Sequence, residues 1–284
     1  MTAELSSNSY GKSAVRLFKV VRSSAGGRHE IRDLTVDVAL SGQFAAAHVE
    51  GDNSAILPTD TMKNTVYAKA REHDLGEPEE FALLLARHFL EAASAATGVQ
   101  VTVKEHGWRR LEAAGRPHDH VFERVGAEKR FARAALVRSG ASSIVAGIED
   151  LLVLKSAHSA FGGFLKDRYT TLKETDDRIL ATSITTSWRY GSDDVDYGAS
   201  FRDVRRRLLE TFAEHDSASV QHTLYAMAER ALGCPEVEEV TITMPNKHHL
   251  LVDLAPFGLD NPNEIFVPTE APYGLIEATL RRKG

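Results

Sequence analysis

One cysteine in 284 residues, Cys234, excludes an internal disulfide and with it a secreted, disulfide-stapled scaffold; a reducing compartment is the expectation. No run of roughly 18 apolar residues occurs, and Met1 to Asn8 lacks a basic stretch followed by an apolar one. Neither a membrane-spanning helix nor a leader peptide is expected. An excess of positive charge is missing too. With 34 Lys and Arg against 40 Asp and Glu, the formal charge of -6 offers no chain-wide attraction to nucleic acid or to an anionic membrane surface. Nine prolines and 20 glycines are too few for a low-complexity chain. Gly162-Gly163 lacks the spacing of a dinucleotide or P-loop motif, and there is no Ser nucleophile elbow. Cys234 sits in the helix-stop sequence Gly233-Cys234-Pro235 with no base beside it. These absences leave a cytoplasmic protein that binds neither nucleic acid nor membrane.

What is present is globular material, 43% hydrophobic and 26% charged, long enough for two cores of about 140 residues each. Leu34, Val36, Val38 and Leu40 alternate, and after Ser41-Gly42 the alternation resumes at Phe44, Ala46 and His48, which predicts a hairpin with one buried face. Pro78-Glu79-Glu80 opens a helix with Phe81, Leu84, Leu85, His88, Phe89 and Ala92 at helical spacing, closed by Thr97-Gly98. Val99, Val101 and Val103 predict a strand and Phe131 to Arg138 another, joined by a polar loop from Gly115 to Lys129.

In the second half, Ile148 to Leu154 and Thr182 to Tyr190 read as extended. Phe201, Val204, Leu208 and Phe212 share one helical face, and Val220, Leu224, Met227, Ala228 and Ala231 another. Strands are predicted at Val240 to Met244 and at Leu250 to Leu254. The element order repeats. It implies an α+β protein of two tandem units, residues 1–140 and 141–284, each an antiparallel sheet with helices on one face. Open sheet edges point to oligomerisation as a way of covering them.

Polar clusters fall at the ends of these elements, where scaffolds display functional groups. Pro58-Thr59-Asp60-Thr61-Met62-Lys63-Asn64 is crowded with short hydrogen-bonding side chains; read locally, Thr59 or Asp60 is a helix N-cap. In Met244-Pro245-Asn246-Lys247-His248-His249, the adjacent histidines point to opposite faces of a strand and cannot easily share a metal. His118 and His120 could reach one metal from an extended segment, but no further ligand at a recognisable spacing accompanies them, and a hydrogen-bonded structural role is preferred. The fourth cluster, Lys155 to Thr186, holds Phe161-Gly162-Gly163-Phe164 and the polar run Tyr169 to Arg178.

Taken in order, these clusters resemble urate oxidase, the cofactor-free uricase. The likeness runs through Tyr10-Gly11-Lys12, Thr59 to Tyr67, His118-Asp119-His120-Val121-Phe122, Leu154-Lys155-Ser156, Phe161 to Phe164, Tyr169 to Arg178, Ser219-Val220-Gln221 and Met244 to His248. It implies two tunnelling-fold domains, each a four-stranded antiparallel sheet with helices on one face. A homotetramer with active sites between subunits is implied as well. The implied reaction oxidises urate with dioxygen and water to 5-hydroxyisourate and hydrogen peroxide in purine catabolism, with no cofactor and no metal.

Carried over by position, the resemblance makes Arg178 and Gln221 a clamp on the purine, Phe161 its stacking partner, and the backbone of Val220 and of Asp60 hydrogen-bond donors. Thr59, from the neighbouring subunit, and Asn246 mark the place above the ring for dioxygen and water. Lys12, Thr59 and His248 form the proton relay, and Lys12 can serve as a base only if burial or nearby positive charge brings its pKa toward neutrality. Two features depart from the family pattern. The chain ends Arg281-Arg282-Lys283-Gly284 where eukaryotic members carry a peroxisomal address, so a bacterial, cytoplasmic member is expected, and Gly162 stands where an aromatic is common. Alternatives are a metal-dependent cyclohydrolase of the same fold, a non-catalytic purine binder and a purely structural oligomer.

Overall fold

The computed structural model describes residues 3–22 and 27–283. The chain divides into two compact units, Met1–Gly147 with Ser192–Gly198, and Ile148–Gly191 with Ala199–Gly284. In the first, β1 (Tyr10–Val21) and β2 (Glu30–Gly42) precede α1 (Ala45–Val49), α2 (Thr59–Glu72) and α3 (Pro78–Ala92), and β3 (Ala96–Ala113) and β4 (Arg116–Val137) follow. The strands form an antiparallel sheet in the order β1-β2-β3-β4. Val36 pairs with Val103, Val38 with Val101 and Leu40 with Val99, so two alternating sequences place their apolar residues on the same face. Met62 and Val66 of α2 and Phe81, Leu85 and Phe89 of α3 cover that face and are fully buried.

The second unit repeats the plan. Strand β5 (Ser142–Lys155) is followed by β6 (Leu180–Tyr190), α4 (Tyr197–Glu214), α5 (Val220–Ala231), β7 (Val237–Lys247), β8 (His249–Leu251), β9 (Phe266–Pro268) and β10 (Gly274–Arg281). Its sheet runs β5-β6-β7-β10, and β8 pairs with β9 in a separate two-stranded sheet. Ile184 and Trp188 of β6 and Val240, Ile242 and Met244 of β7 are buried, as are Val204, Leu208 and Phe212 of α4 and Leu224, Met227, Ala228 and Ala231 of α5. The protein is an α+β fold of two tandem antiparallel repeats with helices on one face. No helix among the described residues is long and apolar enough to cross a membrane.

Several local expectations are corrected. Phe44, Ala46 and His48 do not form a strand: Phe44 is a buried N-cap of the short helix α1, and β2 is flanked by β1 and β3. The β1 strand escapes a periodicity search because its register shifts between Lys12 and Val15. Helix α3 ends at Ala92, and Thr97-Gly98 already belongs to β3. The stretch Gly115 to Lys129 is no loop, since β4 runs from Arg116. Of Leu250 to Leu254 only the first two residues lie in a strand, β8; Ala255 N–H bonds Asp253 Oδ1 at 3.0 Å and turns the chain, and the sheet takes β10 instead.

An arginine closes each repeat. Arg138, directly after β4, donates Nη2 to the carbonyls of Leu90 (2.6 Å) and Ala93 (3.0 Å) and Nε to Ala96 (2.9 Å), satisfying acceptors left open where α3 stops. Arg282, directly after β10, donates Nη2 to Leu232 (2.9 Å), Cys234 (2.8 Å) and Val237 (3.0 Å) beyond the end of α5. The backbone repeats the match: Arg138 N–H bonds Thr97 O at 2.8 Å and Arg282 N–H bonds Glu238 O at 2.9 Å, each acceptor being the second residue of its strand.

At the start of α3, Pro78 follows a Glu77–Glu80 capping box. Beside it the fully buried Glu79 accepts from Arg130 at 2.7 Å through Oε2, while its Oε1 has no partner. Burial outweighs Arg130 and pushes this carboxyl from 4.5 up to about 7. A carboxyl raised on folding favours the native state fully below about pH 4.5, and that contribution is lost as pH rises through 7. Urea unfolding of wild type and Glu79→Gln at pH 5 and pH 8 is therefore expected to show wild type losing stability relative to the variant at the higher pH. Equal pH dependence in the two proteins would mean that Glu79 stays ionised throughout.

Candidate active site

The residues implicated by sequence fall into two groups, one in each unit. In the first, Lys12 lies on β1 opposite Val38. A Cβ on Gly11 would stand 1.8 Å from the Val38 carbonyl oxygen, so only glycine fits beside Lys12. The following bulge places Ala14 at a φ of 56°, with its N–H on Asp37 Oδ1 at 2.7 Å. Tyr10 ties this strand to the segment before Thr59: its hydroxyl accepts the Leu57 N–H at 2.9 Å and its ring meets Phe44 edge-on at 4.8 Å. Burial outweighs that hydrogen bond and raises the Tyr10 pKa.

Thr59 and Asp60 are not N-caps. Pro58 holds that position, with a φ of -56° and an extended ψ, and Met62 N–H bonds its carbonyl at 3.1 Å, so Thr59 opens the helix and Asp60 sits one residue inside it. The Asp60 carboxylate accepts from Lys63 Nζ at 2.5 Å and Asn64 Nδ2 at 3.2 Å. Those bonds, Lys63's above all, and more weakly the charge of Lys12, hold its carboxyl below the usual aspartate range.

In the second unit, hydrogen bonds stitch together three segments distant in sequence. Phe161 and Thr175 exchange backbone bonds at 2.8 and 3.0 Å, and Ser159 N–H reaches Asp177 Oδ1 at 3.2 Å. Ala160 N–H bonds Ser217 O at 2.7 Å, and Ser217 N–H bonds His158 O at 3.0 Å. Ser219 caps α5, its hydroxyl accepting from His222 N–H at 3.1 Å. Val220, buried, and Gln221, exposed, are the first two helical residues, whose N–H groups have no acceptor within the helix. The half-buried guanidinium of Arg178 lies 5.0 Å from the Phe161 ring centroid, its Nε has no hydrogen-bond partner, and burial draws its pKa down. Phe161 stacks on Phe164 at 5.0 Å and 15°. Gly163, at a φ of 67°, turns the chain between them and donates its N–H to Glu174 Oε2 at 3.2 Å.

Asn246 and His248 lie outside that stitched group. Asn246 is on β7 between Thr182 and Gly274, and His248 follows the strand, its carbonyl accepting the Thr269 N–H at 2.8 Å. A cavity of about 430 Å³ beside Arg178 is lined by Ser156, Thr175, His249, Asn263 and Glu264. His249 belongs to the Met244 to His249 cluster, whereas Asn263 and Glu264 escape sequence reasoning because they lie in the irregular segment before β9, which carries no readable period. His118 and His120 sit on β4, and His118 Nδ1 accepts the His120 N–H at 3.1 Å. Among the described residues no group of three or more His, Cys, Asp or Glu is arranged to hold a metal ion.

The chain is similar to known proteins over nearly its full length. The uricase of Arthrobacter globiformis is 49% identical over 282 residues, spanning 99% of this chain and 90% of that protein. That of Dictyostelium discoideum is 38% identical over 283 residues, 99% of this chain and 98% of that protein. The crystal structure of the Arthrobacter uricase superimposes with a TM-score of 0.95 at 48% identity, covering 100% of this chain and 96% of that one. Urate oxidase from Bacillus sp. TB-90 shares the fold at a TM-score of 0.84 and 22% identity, covering 97% of this chain and 100% of that one. The sequence model of the Uricase family matches residues 8–135 and 144–277, one segment for each repeat, and the chain therefore belongs to the uricase family.

Proposed function

We propose that this protein is a urate oxidase, converting urate, dioxygen and water to 5-hydroxyisourate and hydrogen peroxide without metal or flavin, as a step of purine catabolism. The observation that carries the reading is Arg178. Its half-buried guanidinium has an orphaned Nε and lies beside the face of Phe161, an arrangement suited to a flat anion with oxygen and nitrogen along its edge. Family membership supports the choice of urate. The urate anion gives up two electrons to dioxygen, which leaves with two protons as hydrogen peroxide, while water supplies the new hydroxyl group.

In this reading Arg178 and Gln221 grip the purine edge, Phe161 stacks on the ring, and the N–H groups of Val220 and Asp60 complete the hydrogen bonding. Thr59 and Asn246 bracket the space above the ring where dioxygen and then water react. Lys12, Thr59 and His248 pass the protons, with Lys12 as base, the hydroxyl of Thr59 donating or accepting, and His248 reloading the lysine. The assembly is a homotetramer in which the partner subunit's Thr59 completes each site. A cytoplasmic setting accords with a single cysteine that is buried and free.

Chelator-treated protein given urate in air is expected to consume urate and oxygen and form peroxide in equal amounts; binding without turnover would identify a purine-binding protein instead. Arg178→Ala is expected to weaken urate binding by about 1.5 to 3 kcal/mol, roughly 10- to 150-fold, read as a rise in Kd. Survival of binding and turnover in that variant would remove Arg178 from the clamp. Lys12→Met is expected to lower kcat by about 100-fold or more while urate affinity holds, as seen by comparing turnover with equilibrium binding. Unchanged kcat would take Lys12 out of the relay.

A further inference from the structure

The relay requires Lys12 to release a proton near neutral pH, and an uncompensated carboxylate nearby would hold that proton in place. In the first unit Lys12 lies on β1 two residues from Tyr10 and opposite β2 next to Asp37, its charge acts on Asp60 of α2, and Asp60 in turn is paired with Lys63. Asp37 is engaged by the Ala14 N–H at the bulge, and Tyr10 by the Leu57 N–H. Asp60 is the carboxylate that feels the charge of Lys12. It is compensated from its own helix: Lys63, three residues on, holds Oδ1 at 2.5 Å, and Asn64, four residues on, holds Oδ2 at 3.2 Å. Lys63 and Asn64 belong to the Thr59 to Tyr67 motif, yet the clamp and the relay assign them nothing.

We propose that Lys63 is a positioning residue of the relay, acting through Asp60: by neutralising that carboxylate it frees Lys12 to lose its proton. The inference rests on the relay reading and adds the group that sets the working pH. It also gives a reason for an acidic residue beside Thr59. Asp60 presents its backbone N–H to substrate, and its side chain is held aside by the helix.

The test is the pH dependence of kcat for the full-length protein carrying Lys63→Met, Lys63→Arg, Asp60→Asn, or Asp60→Asn with Lys63→Met, with thermal unfolding recorded for each. Lys63→Met is expected to move the acid limb up by about half a pH unit or more, because Asp60 then stabilises the charged lysine. Lys63→Arg, which keeps the charge, is expected to leave the limb in place. Asp60→Asn is expected to move it down, and the double variant to return it from the Lys63→Met position toward wild type. Coincident limbs for Lys63→Met and wild type, or for Lys63→Met and the double variant, would overturn the proposal. If Lys63→Met does not fold, Asp60→Asn decides: a downward shift supports the proposal and an unmoved limb refutes it. Lys12→Met separates the two levels. Full turnover in that variant sinks the relay itself, whereas loss of turnover with unmoved limbs in the other variants sinks only the role of Lys63.

Discussion

A strand with apolar residues at every second position can bury only one side, and that constraint organises both repeats. Val36, Val38 and Leu40 meet Val103, Val101 and Val99 in register, and the helices must lie over the face they create. Ile242 and Met244 with Ile184 and Trp188 impose the same solution on the second unit. With the interior of each layer committed to packing, polar chemistry is left to the ends of elements. Lys12 stands near the start of β1, Thr59 opens α2, Gln221 is the second residue of α5, and His248 follows β7. Element termini carry unsatisfied backbone groups and sharp changes of direction, which suits them to hold a ligand.

The duplication extends to individual hydrogen bonds. Arg138 and Arg282 each follow the last strand of a repeat, each bonds through its backbone to the second residue of the strand after the helices, and each spreads its guanidinium over carbonyls at the helix exit. A single planar donor serving several carbonyls answers the same problem twice, because a helix that stops leaves its last carbonyls without donors from a following turn. The repeat was evident in sequence from element order alone; the arginines gain their equivalence from what they bond.

The two groups of candidate residues differ in how charge is treated. In the first unit the Asp60 carboxylate is met by Lys63 and Asn64, so its charge is compensated within one helix turn. In the second, half-buried Arg178 has an Nε without a hydrogen-bond partner, and the surrounding bonds go to fixing the backbone around it: Ser159 to Asp177, Phe161 to Thr175, Ala160 to Ser217. A half-buried cation with an orphaned donor beside an aromatic face is the feature on which the proposed anion clamp rests. This difference in the treatment of charge is what the proposed relay and the proposed clamp each rest on.

Periodicity determined α3, α5, β3, β7 and the order of the repeat, because an amphipathic period is local and survives without its partners. The motif residues from Lys12 to His248 were legible for a different reason, through their resemblance to a family as an ordered set. Periodicity failed where long-range contacts set the conformation. Phe44 becomes a helix cap because Tyr10 packs against it, β1 hides behind its bulge, and β4 extends through a polar stretch because β3 lies beside it. The small sheet of β8 and β9 has no signal in so few residues, and neither do Asn263 and Glu264 in the irregular segment that leads into it. Sequence by itself thus settled which residues are available and which faces are apolar. Only the tertiary structure decided that Lys63 compensates Asp60, that Arg178 lies beside Phe161 with an unpartnered Nε, and that the segments bearing Phe161, Arg178 and Gln221 are joined, because hydrogen bonding and burial depend on what folding brings near.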